Sequence, residues 1–232
     1  MLICGLLKTT LLDYPGHVAA TVFTGGCNFR CPFCHNSDLL DVSHFPEAQI
    51  FSEEEVLAFL RKRRGILEGV CITGGEPTLQ PDLAAFLRRL KELGYLVKLD
   101  TNGSRPAVLQ GLLAEGLLDY VAMDIKSSLP HYAKVAGCAL STDAICESVS
   151  LLKNSSIPYE FRTTVVRELH DADDFAAIGA WLAGAPAYFL QSYKDSEQVL
   201  ERRFSSYNKE ELERFRQLLL PYLPNVSLRG VD

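Results

Sequence analysis

Cys27, Cys31 and Cys34 stand at C-x3-C-x2-C spacing within Thr24-Gly-Gly-Cys-Asn-Phe-Arg-Cys-Pro-Phe-Cys-His-Asn36, directly after an apolar run that reads as a strand. Thiolates are soft ligands suited to iron–sulfur clusters or to zinc. Three thiolates serving a four-iron cluster leave one iron without a protein ligand. An open iron can bind a substrate, whereas a cluster ligated by four cysteines usually carries electrons. The competing chemistry is a structural zinc ion held by the three cysteines and His35. Adjacent side chains usually point apart, so Cys34 and His35 are poorly placed to share one ion. Cys4, Cys71, Cys138 and Cys146 lie in apolar surroundings and read as small buried hydrophobes.

A second group of residues recurs at the ends of strand-like runs. Gly74-Gly-Glu-Pro77 follows the next such run. Its two glycines allow close backbone approach to a ligand, Pro77 stiffens the exit, and Glu76 offers a carboxylate that could hold an ammonium group. Asp100-Thr-Asn-Gly103 and Asp124-Ile-Lys126 end the third and fourth runs. Asp124 and Lys126, two apart on one strand, share a face, which places an acid and a base side by side. Each motif also has a plain reading, as a turn or a surface ion pair.

The elements that must position these residues alternate along the chain. Val18–Thr24, Val70–Thr73, Tyr95–Leu99, Tyr120–Asp124, Tyr159–Val166 and Ala187–Gln191 read as strands, and a short Val226–Leu228 strand closes the series. Between them, apolar periodicity and caps such as Ser52-Glu-Glu-Glu55 and Asn208-Lys-Glu-Glu211 predict helices. Six strand–helix units in repeated βαβ order imply parallel strands joined by right-handed crossovers. An eight-fold barrel typically needs about 250 residues. A chain of 232 residues has room for a partial (β/α)6 TIM-type barrel or for a doubly wound open sheet. The chemistry-bearing residues follow all six strands, so a barrel-like arc, with its site at the C-terminal rim, is the better expectation.

Composition sets outer limits. The chain is 47% hydrophobic and 22% charged, with no internal break, repeat or low-complexity segment, so residues 1–232 read as one domain. A net charge of -6 argues against nucleic acid and anionic membranes as partners. The apolar N-terminal stretch is too short for a signal peptide and lacks a basic start, and no apolar run approaches a membrane span. Seven cysteines, three of them clustered, suit a reducing cytoplasm better than a disulfide framework. His17, His44, His131 and His170 show no partner pattern and read as surface or satisfied core residues.

The cysteine motif, with aromatic Phe33 before its last cysteine, and the Gly-Gly-Glu-Pro strand end together resemble the radical S-adenosylmethionine superfamily. Leu12-Asp-Tyr-Pro-Gly16 followed by the Cys-His-Asn36 run is similar to the activating enzymes of glycyl radical enzymes, most of all the short type that activates anaerobic ribonucleoside-triphosphate reductase. The resemblance covers nearly the whole chain. It implies one [4Fe-4S] cluster on Cys27, Cys31 and Cys34, with S-adenosylmethionine on the fourth iron. It implies that Phe33 borders the adenine, in a loop continuing through His35 and Asn36, and that Gly74, Gly75 and Glu76 meet the methionine ammonium. Asp100, Thr101, Asn102, Asp124 and Lys126 match positions near the methionine and ribose, Lys126 being counted with the catalytic set. Arg162 matches a ligand-proximal arginine. Gln191 stands where pyruvate formate-lyase activators carry histidine.

Asp100 and Asp124 are further implied as holders of a monovalent cation. The implied partners are a glycyl radical enzyme, its loop received by the Asp13-Tyr-Pro-Gly16 stretch, and a flavodoxin or ferredoxin as electron donor. The implied reaction is reductive cleavage of S-adenosylmethionine and hydrogen abstraction from a partner glycine. Alternatives are activation of a pyruvate formate-lyase-like enzyme, chemistry on a small molecule as in the 7-carboxy-7-deazaguanine synthases, or a non-catalytic metal-binding role. No second cysteine-rich cluster is present in the sequence.

Overall fold

A computed structural model describes residues 1–43, 45 and 49–231; His44 lies outside the described residues. Eight strands form one sheet in strict chain order: β1 (Ile3–Thr10), β2 (Ala19–Thr24), β3 (Gly69–Gly74), β4 (Leu96–Thr101), β5 (Tyr120–Asp124), β6 (Tyr159–Val165), β7 (Tyr188–Ser192) and β8 (Val226–Arg229). Strands β2 to β8 are parallel, and β1 pairs antiparallel with β2. Among the described residues the α-helices are α1 (Glu53–Arg61), α2 (Leu83–Glu92), α3 (Pro106–Ala114), the short α4 (Tyr132–Ala136), α5 (Asp143–Lys153), α6 (Ala172–Leu182) and α7 (Lys209–Leu219).

This order separates the two expected architectures. A doubly wound sheet reverses its strand order at a switch point. Here each crossover steps to the next neighbour in the same direction, so right-handed connections put every helix on one face. The sheet curls but does not close, because β1 and β8 remain edges. Six βα units, β2–α1 through β7–α7, match the expected partial barrel. Two elements were not legible. β1 reads Ile-Cys-Gly-Leu-Leu-Lys-Thr-Thr with no clean alternation of burial, and α4 is too short to show a helical period.

The two faces divide by chemistry. Towards the helices, Val22, Ile72, Val97, Leu99, Val121, Met123 and Phe161 are fully buried. They meet α1 through Val56, Leu57 and Leu60, and α2 through Leu83, Phe86, Leu87 and Leu90. Helices α6 and α7 pack through Phe175 and Phe215, whose ring centroids are 4.6 Å apart. The caps form as expected at Ser52 and Asn208, and a third capping box joins Asp171 to Asp174. Alternation along each strand sends the remaining side chains into the barrel. Cys71, Lys98, Asp100, Asp124, Glu160 and Arg162 occupy that concave face, with Cys71 opposite Lys98 and Asp124 opposite Arg162 in register.

Candidate active site

The cysteine loop is held at the C-terminal rim by main-chain bonds from several directions. Gly25 N–H donates to Leu2 O at 3.1 Å and Gly26 N–H to Leu39 O at 2.7 Å. Arg30 N–H donates to Ala136 O at 2.9 Å, which ties the loop to α4. The segment after β7 crosses its far side, with Leu200 N–H on Cys34 O and Glu201 N–H on Pro32 O at 2.8 Å. Val199 of that segment is buried.

The glycines of the β3 exit are required by this packing. Gly74 has φ of +120°, and a Cβ there would lie 2.3 Å from Thr24 N and O. A Cβ on Gly75 would lie 2.1 Å from Gly26 O. In return, Gly75 N–H donates to Thr24 O and Glu76 N–H to Gly26 O, each at 2.8 Å. The absence of side chains thus lets the Gly-Gly strand end touch the cysteine loop.

Glu76 is buried and its carboxylate is fully engaged by the protein. It accepts from Thr78 N–H at 3.1 Å, Thr78 Oγ1 at 2.5 Å, Thr101 Oγ1 at 2.8 Å and Asn102 N–H at 2.7 Å. Burial pushes its carboxyl upward in pKa, and these donors oppose the shift. Asn102 Nδ2 in turn donates to Asn28 Oδ1 at 3.0 Å and lies 3.9 Å from Cys27 Sγ. The ends of β3 and β4 and the cysteine loop are therefore one connected unit.

Across the cleft runs a string of alternating charges. Arg162 bridges two carboxylates, with Nε 2.5 Å from Asp124 Oδ1 and a terminal nitrogen 3.1 Å from Asp100 Oδ2. Lys126 Nζ lies 3.0 Å from Asp124 Oδ2, and Lys98 Nζ bonds Asp100 Oδ1. Burial alone would raise both carboxyls, but the Arg162 guanidinium, helped by Lys98 or Lys126, holds them below the ordinary carboxylate range. Burial would lower Lys126, yet Asp124 and then Cys31 keep it protonated.

Burial raises all three cluster-loop thiols, Cys31 to about 12, and the positive charge of Lys126 works against that rise at each of them. A trio of thiols, Cys31 buried and Cys27 and Cys34 half-buried, under the positive charge of Lys126 suits a metal group that binds them as thiolates. His35 lies against Tyr193, ring centroids 5.7 Å apart. Among the described residues, no three His, Cys, Asp or Glu side chains converge as the ligands of a single ion would. The donor set thus fits a cluster, with one thiol per corner, better than a Cys3His zinc ion.

One cleft is lined by every candidate cluster, cofactor and catalytic residue, Cys27, Cys31, Phe33, Cys34, His35, Asn36, Gly74, Gly75, Glu76, Asp100, Thr101, Asn102, Asp124, Lys126, Arg162 and Gln191, while Asp13 and Pro15 of the loop-receiving stretch line a neighbouring cavity. Phe29, Leu40, Thr73 and Thr164 complete it and were not anticipated. Thr164 lies two residues beyond Arg162 on one strand face, and Thr73 just precedes Gly74, so strand alternation carried a signal for both. Of the histidines, His170 is a satisfied core residue, 2.7 Å from Lys126 O, while exposed His131 pairs with Asp174 at 2.8 Å. His17 pairs with Glu68 at 3.0 Å.

The expected monovalent cation does not fit Asp100 and Asp124 as they stand. All four of their carboxylate oxygens already have a cationic side-chain partner.

A partial barrel carrying three cysteines and a Gly-Gly-Glu-Pro wall at one rim defines the radical S-adenosylmethionine class. Residues 21–178 match the Radical SAM superfamily, more than half of the chain, and the protein belongs to that superfamily. It is a radical S-adenosylmethionine enzyme. A Methanocaldococcus jannaschii protein, provisionally named a glycyl-radical enzyme activating enzyme, is 30% identical over 241 residues, covering 100% of this chain and 97% of its own length. A 7-carboxy-7-deazaguanine synthase of Thermococcus kodakarensis is 34% identical over 118 residues, covering 44% of this chain and 46% of its own. Among solved structures, Streptococcus suis SuiB bound to S-adenosylmethionine superposes with a TM-score of 0.69 at 15% identity, over 88% of this chain and 48% of SuiB. That last likeness concerns the fold. No helix among the described residues is long and apolar enough to cross a membrane.

Proposed function

We propose that this enzyme activates a glycyl radical enzyme, with anaerobic ribonucleoside-triphosphate reductase as its partner. The observation that carries the reading is end-to-end similarity to a relative named as a glycyl-radical enzyme activating enzyme, in a chain whose candidate site residues line one cleft; the choice of partner rests on the sequence resemblance. Cys27, Cys31 and Cys34 would hold one [4Fe-4S] cluster and the cleft one S-adenosylmethionine. When bound and reduced, the cluster supplies the electron that cleaves S-adenosylmethionine and provides the radical for hydrogen abstraction from a glycine.

The chain's own residues bind and orient. Lys126 offers its ammonium to the ligand carboxylate. Carbonyl groups of Gly74 and Gly75 meet the ligand ammonium, and Glu76 holds that strand end in place through four hydrogen bonds. The Phe33 backbone contacts the adenine, flanked by His35 and Asn36. Thr101, Asn102, Arg162 and Gln191 close the methionine and ribose side, with Asp100 and Asp124 fixing Arg162 and Lys126. A buried cleft keeps water and stray hydrogen donors from the reactive species.

A protein substrate suits the unclosed sheet. Asp13 and Pro15 of the β1–β2 turn face Arg229 and Gly230 of the β8 end across one cavity that shares Asp100, Arg162 and Gln191 with the cleft, so a loop docked at the open edge comes up against the cleft's own side chains. Leu11 and Leu12 stand 72% and 90% exposed beside it, an apolar contact for a partner. A flavodoxin or ferredoxin supplies the electron, and no nucleic acid or membrane takes part.

The test is anaerobic reconstitution with iron and sulfide, reduction, and paramagnetic resonance with and without S-adenosylmethionine. Addition of a candidate reductase subunit should then give a glycyl radical doublet with release of 5′-deoxyadenosine. A doublet only on a pyruvate formate-lyase-like protein would move the activity to that partner. The partial similarity to a deazaguanine synthase supports a second reading, chemistry on a small molecule. Formation of a deazaguanine product without any protein radical would establish it. One bound zinc and no cluster signal would refute both.

A further inference from the structure

Lys98 is a lysine in the middle of β4 whose side chain is 2% exposed. Its stem points into the barrel, opposite Cys71 on β3, whose Sγ lies 3.8 Å from Nζ. Its ammonium reaches upward to Asp100 Oδ1. Asp100 and Arg162 line both the cleft above and a second cavity below, so they form the floor between the two. Lys98 lies beneath that floor, in the lower cavity, and is absent from the walls of the cleft.

Charge balance gives this placement meaning. Asp100 and Asp124, 12% and 30% exposed, are two partly buried carboxylates at the base of a cleft built for a ligand bearing its own carboxylate. Such a pair needs compensating positive charge. A bound alkali ion is one solution, and it requires open oxygens on both aspartates. Here Asp100 Oδ1 is taken by Lys98, Asp100 Oδ2 and Asp124 Oδ1 by Arg162, and Asp124 Oδ2 by Lys126. Three cationic side chains meet two carboxylates, and no oxygen is left over. Arg162 and Lys126 approach from within the cleft walls; only Lys98 comes from below.

We propose that the Lys98 ammonium is a built-in monovalent cation, standing in for an alkali ion at Asp100, so that this enzyme works without one. A tethered ammonium is present at every ionic composition, whereas a bound ion is gained and lost by mass action. Removing the side chain should uncover a latent ion site, bounded by Asp100 Oδ1 and the space the lysine stem occupied.

The experiment is thermal unfolding of the full-length, cluster-reconstituted protein in potassium, sodium or ammonium chloride, with tetramethylammonium chloride at equal ionic strength as the non-coordinating control. It is run without S-adenosylmethionine, so it stands apart from the proposed activity; affinity for S-adenosylmethionine in the same salts forms a second arm that rests on that reading. The wild type should unfold at one temperature in all four salts. Lys98→Ala should be less stable in tetramethylammonium and regain about 5 °C or more, saturably, in excess of one of the small cations. Lys98→Met, which refills the space without charge, should lose stability and regain none. A saturable, ion-specific rise in the wild type would overturn the proposal, as would a folded Lys98→Ala indifferent to every ion. If neither variant folds, the wild-type response alone decides. Ion-independent unfolding with no binding of S-adenosylmethionine would leave the built-in cation standing and sink the functional reading instead.

Discussion

The main-chain N–H of Asn102 donates to Glu76 Oε2 at 2.7 Å, so the carboxylate at the end of β3 is held by the backbone at the end of β4. Three further donors complete its shell, and Asn102 extends the link to Asn28 in the cysteine loop. Glu76 is a positioning residue: it fixes the relative height of three loops that meet at one ligand.

Glu76→Ala strands buried donors on Thr78, Thr101 and Asn102. The expected cost is about 3 kcal/mol or more in denaturant unfolding. Affinity for S-adenosylmethionine should fall with it, while a change in affinity without a change in stability would assign Glu76 to the ligand alone.

Gly75→Ala drives a Cβ into Gly26 O and cannot be relieved by a side-chain rotation. A loss of about 2 kcal/mol or more is expected, with slower or incomplete cluster assembly. Iron and sulfide content after reconstitution, read beside the unfolding midpoint, checks both effects.

Cys27→Ser, Cys31→Ser and Cys34→Ser should each reduce bound iron and sulfide to near background. Cys138→Ser and Cys146→Ser, which lie outside the cleft, should retain wild-type content. Equal loss in the two controls would show that cysteine replacement acts through folding and not through ligation.

Lys126→Met keeps the three cysteines and removes the ammonium beside them. Binding of S-adenosylmethionine should weaken by about 10- to 100-fold with cluster content unchanged. Equilibrium dialysis on reconstituted protein measures the first and iron analysis the second.

The charge string also sets a response to acid. Burial would raise Asp100 and Asp124, but Arg162 with its neighbouring lysines holds both below their unfolded values. The stabilisation is then complete above the unfolded carboxyl value, about 3.9, and is lost as pH falls through the lower folded values. The wild-type denaturant midpoint should drop steeply below about pH 4. Asp124→Asn, less stable at neutral pH, should drop less over the same range; parallel curves would mean that the string contributes nothing to acid stability.

Much of the site was legible because its residues sit at strand ends. A strand end is marked locally, by an apolar β-branched run breaking at glycine, and the parallel order of βαβ units brings such ends to one rim. Position at the strand ends therefore brought Cys27, Gly74, Asp100 and Asp124 to one rim, whereas Arg162, in the middle of β6, was marked only by the family resemblance. Helix positions followed from period and caps for the same local reason.

Pairing across the barrel was not legible in this way. Lys98 and Asp100, two apart on one strand, share a face as Asp124 and Lys126 do, but nothing near them in sequence says that Arg162, on another strand, meets both aspartates from the side. Glu160, Arg229 and Tyr120 form a similar clasp, with Arg229 bidentate on Glu160 at 2.7 and 3.0 Å and Tyr120 donating to the same carboxylate. Nor did the sequence foretell that Gly74 and Gly75 yield to the cysteine loop, or that Glu76 is saturated by protein donors. The composition of each strand end is a local property, written residue by residue. Which charge neutralises which depends on register and on the curl of the sheet, which bring residues 30 to 70 positions apart within hydrogen-bond reach, and only the tertiary structure decides that.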